Sequence, residues 1–166
     1  MSLVHIVLAL VALQRLGELA LAARNTRKLR AAGAIELDAS GYPLFVLLHA
    51  AWLGSLALFV PTSVAPSWAL LGIFAALQLG RLWVIASLGR LWTTRLIVLP
   101  GRPLARSGPY RFLNHPNYLI VIAEIAVLPL AFGALGIAAV FSAANLGLLA
   151  RRVTLEGRAL AAERAS

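Results

Sequence analysis

The residues that could do chemistry are concentrated in one stretch, Gly89–Tyr118, which contains five arginines and four prolines. Near its end it reads Gly-Pro-Tyr-Arg at 108–111 and Asn-His-Pro-Asn-Tyr at 114–118. Pro116 disfavours helix at His115, which places that imidazole on irregular backbone, and Asn117 is a suitable N-cap for a helix starting at Tyr118. Backbone amides at such a helix start can hold an anionic ligand group. The alternative is a rigid polar turn that only joins two helices.

Five ionisable residues lie inside apolar segments: Arg15, Glu18, His49, Arg81 and Glu124. A charge at the centre of a bilayer costs roughly 2.5–3.5 kcal/mol on insertion scales, so such residues usually face a protein interior or a polar cavity. Arg15 and Glu18 are three residues apart and can meet on one helix face. Arg81 and Glu124 could pair between two helices. Helix packing alone would explain these pairs and His49, but Glu124 lies two helical turns beyond the loop motif, which also favours a functional role.

The composition indicates whether the protein that positions these residues is surrounded by water or by lipid. Hydrophobic residues make up 61% of the 166-residue chain, against roughly 45–50% in soluble domains. Charged residues make up 13%, about half the usual ~25%. Because small domains bury a smaller fraction of their surface, a soluble protein of this length could not hide so much apolar surface. The composition therefore predicts an integral membrane protein.

Five apolar runs predict the helices of an all-α polytopic membrane protein: Leu3–Ala23, Tyr42–Val60, Ser67–Leu88, Tyr118–Phe132 and Leu135–Ala150. A spanning helix needs about 20 residues, which the first three runs provide. The last two are shorter and are separated by Gly133. We expect them to form a tight helical hairpin, packed partly inside the protein.

The basic residues predict the orientation of these spans. Thirteen of the fifteen lysines and arginines lie after the first span, after the third span and in the C-terminal tail. Lys and Arg collect on the cytoplasmic side of membranes. We therefore expect the N-terminus outside and the C-terminus in the cytoplasm. We attribute the net charge of +9 to this orientation in the membrane and not to nucleic-acid binding.

The sequence offers little for metal binding. The absence of cysteine excludes thiolate metal sites and cysteine nucleophiles. The three histidines, His5, His49 and His115, lack metal-ligand spacing. We expect no metal centre.

The loop motif, together with the C-terminal helix, resembles the isoprenylcysteine carboxyl methyltransferase family. That family shows Gly-x-Tyr, Arg-His-Pro-x-Tyr, a helical hairpin and a final Arg-(Ile/Val)-x-x-Glu-Glu-x-x-Leu. The last element appears here as Arg-Val-Thr-Leu-Glu-Gly-Arg-Ala-Leu at 152–160. The motifs cover about half the chain, from Arg81 to Leu160. The segments Leu88–Arg95 and Leu99–Gly101, together with Glu124, look most like small bacterial members that resemble alkylpyrone O-methyltransferases.

The resemblance implies methyl transfer from S-adenosylmethionine to a lipophilic acceptor at the cytoplasmic face of the membrane. The expected location is the bacterial inner membrane. It assigns cofactor-binding positions to Gly108, Tyr110, His115, Pro116, Tyr118, Arg152 and Glu156. Glu156 would accept hydrogen bonds from the ribose hydroxyls or the amino group. Arg152 would orient Glu156 or the methionine carboxylate. Without the loop motif, Arg152 and Glu156 would read as a surface pair four residues apart on a helix.

The implied organisation is a single domain: three spans at 1–88, a cytoplasmic cofactor-binding loop at 89–117, a helical hairpin at 118–150, and a C-terminal helix at 151–166 that covers the cofactor. The expected partners are a lipophilic small molecule and membrane lipids, not nucleic acid. A small transporter is the competing class, but we find no repeat of the kind transporters show. A non-catalytic membrane protein is a further alternative.

Two departures from the family pattern bear on the acceptor. Asn114 stands where the family has arginine, and Gly157 replaces the second glutamate of the terminal pair. Loss of the arginine removes a cation that could hold a carboxylate bidentately. We therefore expect a hydroxyl or enol acceptor, as on a long-chain alkylpyrone, rather than a prenylcysteine carboxylate or a phospholipid. The predicted catalytic residues are Asn114, as a donor to the acceptor oxygen, and His115 or Glu124, as the base.

Overall fold

The computed structural model describes residues 2–100 and 106–165, and the chain is mostly helical. Within these residues it forms five α-helices: α1 Leu3–Ala31, α2 Tyr42–Phe59, α3 Trp68–Leu88, α4 Pro116–Ala131 and α5 Leu135–Ala165. Two 3-10 turns, Gly89–Leu91 and Gly108–Arg111, lie between α3 and α4. Two short strands, β1 Ile35–Glu36 and β2 Ile97–Val98, complete the described elements.

Four of these helices are long and apolar enough to cross a membrane: α1, α2, α3 with its following turn, and residues Leu135–Arg158 of α5. The all-α membrane architecture is therefore shown. Helix α4 has 16 residues, about 24 Å at 1.5 Å per residue, which is short of a hydrocarbon core of about 30 Å. A count of five spans stays a prediction.

Helix α4 packs between α3 and α5, and its buried face includes Val121, Ile125 and Leu128. Three residues, 132–134, connect α4 to α5. Gly133 adopts a positive φ of 71° there, and the amide of Ala134 donates to the carbonyl of Pro129. A left-handed glycine is the usual way to end a helix while satisfying its last carbonyls.

Two helix boundaries differ from those expected from sequence. Helix α4 begins at Pro116 with His115 at the N-cap, so Asn117 lies in the first turn and is not the cap. Proline is favoured at the first helical position because its φ suits a helix and its missing N–H is not needed. Helix α5 continues without a break beyond Ala150 to Ala165, where we expected an apolar span followed by a separate C-terminal helix.

A two-stranded antiparallel ribbon joins the segment after α1 to the segment after α3, and the sequence analysis did not predict it. Ile35 pairs with Val98 and Glu36 with Ile97. The carboxylate of Glu36 forms ion pairs with Arg30 and Arg95. Burial raises the pKa of Glu36, but the hydrogen bonds from these two arginines outweigh it and hold the pKa below 4.5.

The same end of the molecule also receives α5, because Arg151 pairs with Asp38 at 2.9 Å. Through the ribbon and this ion pair, the three basic segments of the sequence come together at one end of the helix bundle. This end carries the turns and helix starts that shape the site.

Candidate active site

A cavity of about 510 Å³ lies among the five helices and the ribbon, within the range of roughly 300–1,000 Å³ common for ligand sites. Its walls include side chains from α1 to α5 and from the segment after α3. Many of the lining residues fall into three groups.

The first group, the His115 cluster, consists of His115, Tyr118, Arg152 and Glu156. The rings of His115 and Tyr118 are stacked, with centroids 4.9 Å apart and planes 1° from parallel. Tyr118 donates a hydrogen bond of 3.3 Å to Glu156, and Nδ1 of His115 lies 3.8 Å from the same carboxylate oxygen. Tyr118 and His115 precede Glu156 by 38 and 41 residues in the sequence. They meet at its carboxylate because the start of α4 packs beside α5.

Arg152 is turned away from Glu156 toward the segment after α3. Its guanidinium donates to the carbonyl of Thr94 at 3.0 Å and lies 5.4 Å from the Phe45 ring and 5.7 Å from the Tyr118 ring. Among the described residues it forms no salt bridge, and its Nε is buried without a hydrogen-bond partner. The surface-pair alternative for Arg152 and Glu156 therefore does not describe their geometry.

Gly108 and Tyr110 are held on the 3-10 turn beside α3. Gly108 has φ 55°, and a Cβ at this position would collide with the side chain of Ser87. Ser107 donates a hydrogen bond of 3.0 Å to the carbonyl of Ser87. The turn therefore presents Tyr110 to the cavity, where burial, with smaller contributions from Tyr118 and Glu156, raises its pKa to about 12.

The second group is the charged floor of the cavity, part of a buried charge network formed by Arg15, Glu18, Arg81 and Glu124. The predicted pairs are both present: Arg15–Glu18 at 2.9 Å and Arg81–Glu124 at 3.4 Å. The network is closed by Arg81–Glu18 at 2.6 Å and Arg15–Glu124 at 2.8 Å. Two guanidinium groups and two carboxylates balance each other, and the network ties α1, α3 and α4 together.

Glu124 stands behind this floor and does not line the cavity. It is 1% exposed and accepts hydrogen bonds from Gln78, Arg15 and Arg81. Its buried carboxylate can hold Arg15 and Arg81 in position. The sequence analysis considered Glu124 as a base.

The third group, the apolar arm, is a wall shared by α1 and α2: Ala12, Leu16, Leu19, Phe45, Val46, Ala50 and Leu53. Leu16 and Val46 are exposed. The arm therefore lies beside exposed apolar side chains of two helices that are long and apolar enough to cross a membrane.

The structure separates the predicted site residues into those that reach the cavity and those that do not. Tyr110, His115, Tyr118, Arg152 and Glu156 line it. Gly108, buried Pro116, exposed Asn114 and Glu124 do not.

Asn117, which the sequence analysis treated only as a cap, lines the cavity and accepts a hydrogen bond of 3.5 Å from Arg81. Tyr42, Thr94 and Arg95 also line it without having been predicted. Arg95 lies over the Tyr42 ring at 4.0 Å. Tyr42 and His49 are polar residues of the apolar α2 run, and they could have indicated that α2 lines a cavity. The sequence analysis treated α2 only as a membrane span.

The chemistry of the lining fits S-adenosylmethionine. Glu156 offers a carboxylate to hydroxyl or ammonium donors, and Arg152 offers a guanidinium that no carboxylate among the described residues neutralises. The orphaned Nε of Arg152 is a buried donor that a ligand carboxylate would satisfy. The aromatic rings of Tyr110, His115 and Tyr118 supply flat surfaces beside these charges. No group of three metal-ligating side chains occurs within residues 2–100 and 106–165.

Comparison with known proteins identifies the family. Residues 70–162 match the profile of the isoprenylcysteine carboxyl methyltransferase family. The chain is 38% identical over 159 residues to the uncharacterized protein YpbQ of Bacillus subtilis (strain 168), covering 93% of this chain and 95% of that protein. No solved structure matches. This chain therefore belongs to the isoprenylcysteine carboxyl methyltransferase family, whose members are S-adenosylmethionine-dependent membrane methyltransferases.

Proposed function

We propose that this protein transfers a methyl group from S-adenosylmethionine to a hydroxyl or enol oxygen of a lipophilic acceptor, such as a long-chain alkylpyrone. One observation carries the proposal: a continuous cavity joins the His115 cluster to the apolar arm. A polar cofactor and the reacting end of a lipid can therefore meet inside the protein while the acyl or alkyl chain lies against α1 and α2.

The residues of the His115 cluster have distinct tasks in this proposal. Glu156 accepts hydrogen bonds from the ribose hydroxyls or the amino group, and Arg152 binds the methionine carboxylate. The cofactor supplies a methyl group already activated on a positively charged sulfur. An enclosed cavity does not oppose the reaction, because that charge disappears as the methyl group leaves. Holding two reactants in line contributes effective molarities of up to roughly 10⁵–10⁸ M.

The charge balance of the cavity favours a hydroxyl or enol over a carboxylate acceptor. Arg15 and Arg81 are already paired with Glu18 and Glu124. A carboxylate arriving at the floor would meet guanidinium groups whose charge is already neutralised. Asn114, in place of the family arginine, is exposed and does not line the cavity. A prenylcysteine-type carboxylate is the alternative acceptor that the family name suggests.

Titration calorimetry with S-adenosylhomocysteine tests the cofactor part of the proposal. We expect the wild-type protein to bind and Glu156→Gln to bind roughly 10- to 100-fold more weakly, since a hydrogen bond to a charged group contributes about 1.5–3 kcal/mol. Arg158→Gln is the matched control, because this exposed residue lies on the same helix and does not line the cavity. Absence of wild-type binding at millimolar ligand would contradict the proposal.

Radiolabelled methyl transfer then tests the acceptor. The acceptors are a long-chain hydroxypyrone, a phenol with the same alkyl chain and a prenylated cysteine. We expect transfer to the first two. Preferential methylation of the prenylated cysteine would overturn the hydroxyl and enol assignment while leaving the methyltransferase itself intact.

A further inference from the structure

His49 lies in the cavity wall with one ring nitrogen committed and the other available. It is on α2, one turn after Phe45, and lines the cavity beside the apolar arm. Its Nδ1 is 2.8 Å from the carbonyl oxygen of Phe45. A carbonyl oxygen can only accept, so Nδ1 carries the proton of this hydrogen bond. In the neutral ring, Nε2 then presents a lone pair.

No hydrogen bond within the described residues uses Nε2 of His49. Its ring meets Trp52 edge-on, with centroids 6.3 Å apart, and this contact fixes the plane of the imidazole. The ring is therefore held by two neighbours on its own helix, while the atom able to take a proton remains unengaged.

The two carboxylates that line the cavity are occupied, and the ring of His115 is stacked on Tyr118 beside Glu156. Glu18 accepts hydrogen bonds from Gln14, from Arg15 and twice from Arg81. Glu156 is engaged by Tyr118 and lies beside His115.

The position of His49 along the cavity suits a proton acceptor. The Phe45 ring lies beside the guanidinium of Arg152, and His49 is one helical turn further along α2, a rise of about 6 Å. His49 thus lies about one helical turn from the His115 cluster, on the stretch of α2 that forms the apolar arm, where we place the reacting oxygen of a lipid acceptor. It also lies outside residues 70–162, the part of the chain matched by the family profile.

We propose that Nε2 of His49 is the general base for hydroxyl acceptors, an inference that rests on the proposed function. As the acceptor oxygen bonds to the methyl carbon, the carbon–sulfur bond of S-adenosylmethionine breaks and its electron pair remains on sulfur. The hydroxyl proton passes to Nε2 and is later released to water. An acceptor that is already ionised, such as an acidic enol, does not need this step.

The kinetic test compares two acceptors with the same alkyl chain: an acidic hydroxypyrone and a neutral phenol. The variant is His49→Asn, because the asparagine amide can still donate to the Phe45 carbonyl but has no basic nitrogen. We expect kcat for the phenol to fall by roughly 10²–10⁴-fold, the usual contribution of general-base catalysis, while kcat for the ionised enol falls less than about threefold. His5→Asn is the control, because His5 does not line the cavity.

A second readout does not depend on turnover. The chain has three histidines, so ¹⁵N spectra of histidine-labelled protein are simple, and the His49→Asn variant assigns one signal. We expect an Nδ1-protonated tautomer whose Nε2 signal shifts when the phenol binds with S-adenosylhomocysteine. Binding of S-adenosylhomocysteine alone is expected to be equal in wild type and variant.

Four results would overturn the inference: an equal loss for both acceptors, no loss for the phenol, an Nε2-protonated tautomer, or weaker cofactor binding in the variant. The first and the last would make His49 a structural or cofactor-binding residue. If the wild-type protein itself transfers no methyl group to either acceptor, the proposed function fails, and the role of His49 fails with it.

Discussion

At the scale of single residues, the site depends on positions where only one side chain fits the local geometry. Gly108 combines a positive φ with close approach to Ser87. Gly157, which stands where the family pattern has its second glutamate, has open space around the position of a Cβ. The fold therefore requires glycine at position 108. At position 157 packing does not require glycine, and nothing in the structure explains why it replaces the family glutamate.

Gly108→Ala is expected to lower the free energy of unfolding by at least about 1–2 kcal/mol, the cost of left-handed backbone for a residue with a Cβ. The collision with Ser87 adds to this cost and displaces Tyr110, so cofactor affinity should also fall. Thermal unfolding in detergent and calorimetry measure the two effects. Gly157→Ala is the control and should be neutral or slightly stabilising, since alanine is favoured over glycine within helices. Equal stability of the two variants would contradict the assigned role of Gly108.

At the scale of elements, the ribbon and its ion pairs determine how the loop after α3 meets α1. Glu36 connects Arg30 at the end of α1 with Arg95 beside β2. Arg95 in turn lies over Tyr42 at the start of α2. One carboxylate therefore links the end of α1 to the segment before β2, whose Arg95 lines the cavity together with Tyr42.

The lowered pKa of Glu36 makes this link sensitive to acid. Its folded-state pKa lies below 4.5, so the charged carboxylate is favoured more in the folded than in the unfolded chain. The resulting stabilisation is fully present above pH 4.5 and is lost as the pH falls through the lowered pKa. Because its partners are partly exposed, we expect Glu36→Gln to cost only about 0.5–1 kcal/mol at pH 7.

Thermal unfolding of wild type and Glu36→Gln across a pH series measures this effect. The difference between the two proteins should be constant from pH 7 down to about 5 and should shrink below pH 4.5. A difference that persisted unchanged in acid would show that Glu36 acts through packing and not through its charge.

At the scale of the whole molecule, the ion pairs place the three basic segments at one end of the bundle, which is the end that carries the His115 cluster. The distribution of basic residues predicts that this end faces the cytoplasm. The connection between α2 and α3, residues 60–67, carries no basic residue and is expected on the outer side.

The absence of native cysteine allows this orientation to be tested with single cysteines. Thr62→Cys and Ala161→Cys place a thiol at exposed positions in the α2–α3 connection and near the end of α5. We expect a membrane-impermeant maleimide to label Thr62→Cys in intact cells and Ala161→Cys only after the membrane is opened. The reverse pattern would invert the predicted topology.

The amino-acid sequence by itself determined the apolar spans, the two intramembrane charge pairs and the residues of the His115 cluster. The spans follow from hydropathy over about 20 residues, the Arg15–Glu18 pair from spacing along one helix, the Arg81–Glu124 pair from two opposite charges inside apolar runs, and the His115 cluster from a motif that resembles a known family. Such features persist whatever the distant parts of the chain do.

Only the tertiary structure decided which of these residues share the cavity. It placed Asn117 there and Asn114 outside, buried Glu124 behind two arginines, and formed a ribbon between residues about sixty positions apart. It also made α1 and α2 the wall of the apolar arm, which brought His49 into the site. The physical reason is that side-chain contacts across helices depend on packing and rotation of whole elements, and no local pattern in a single sequence records these.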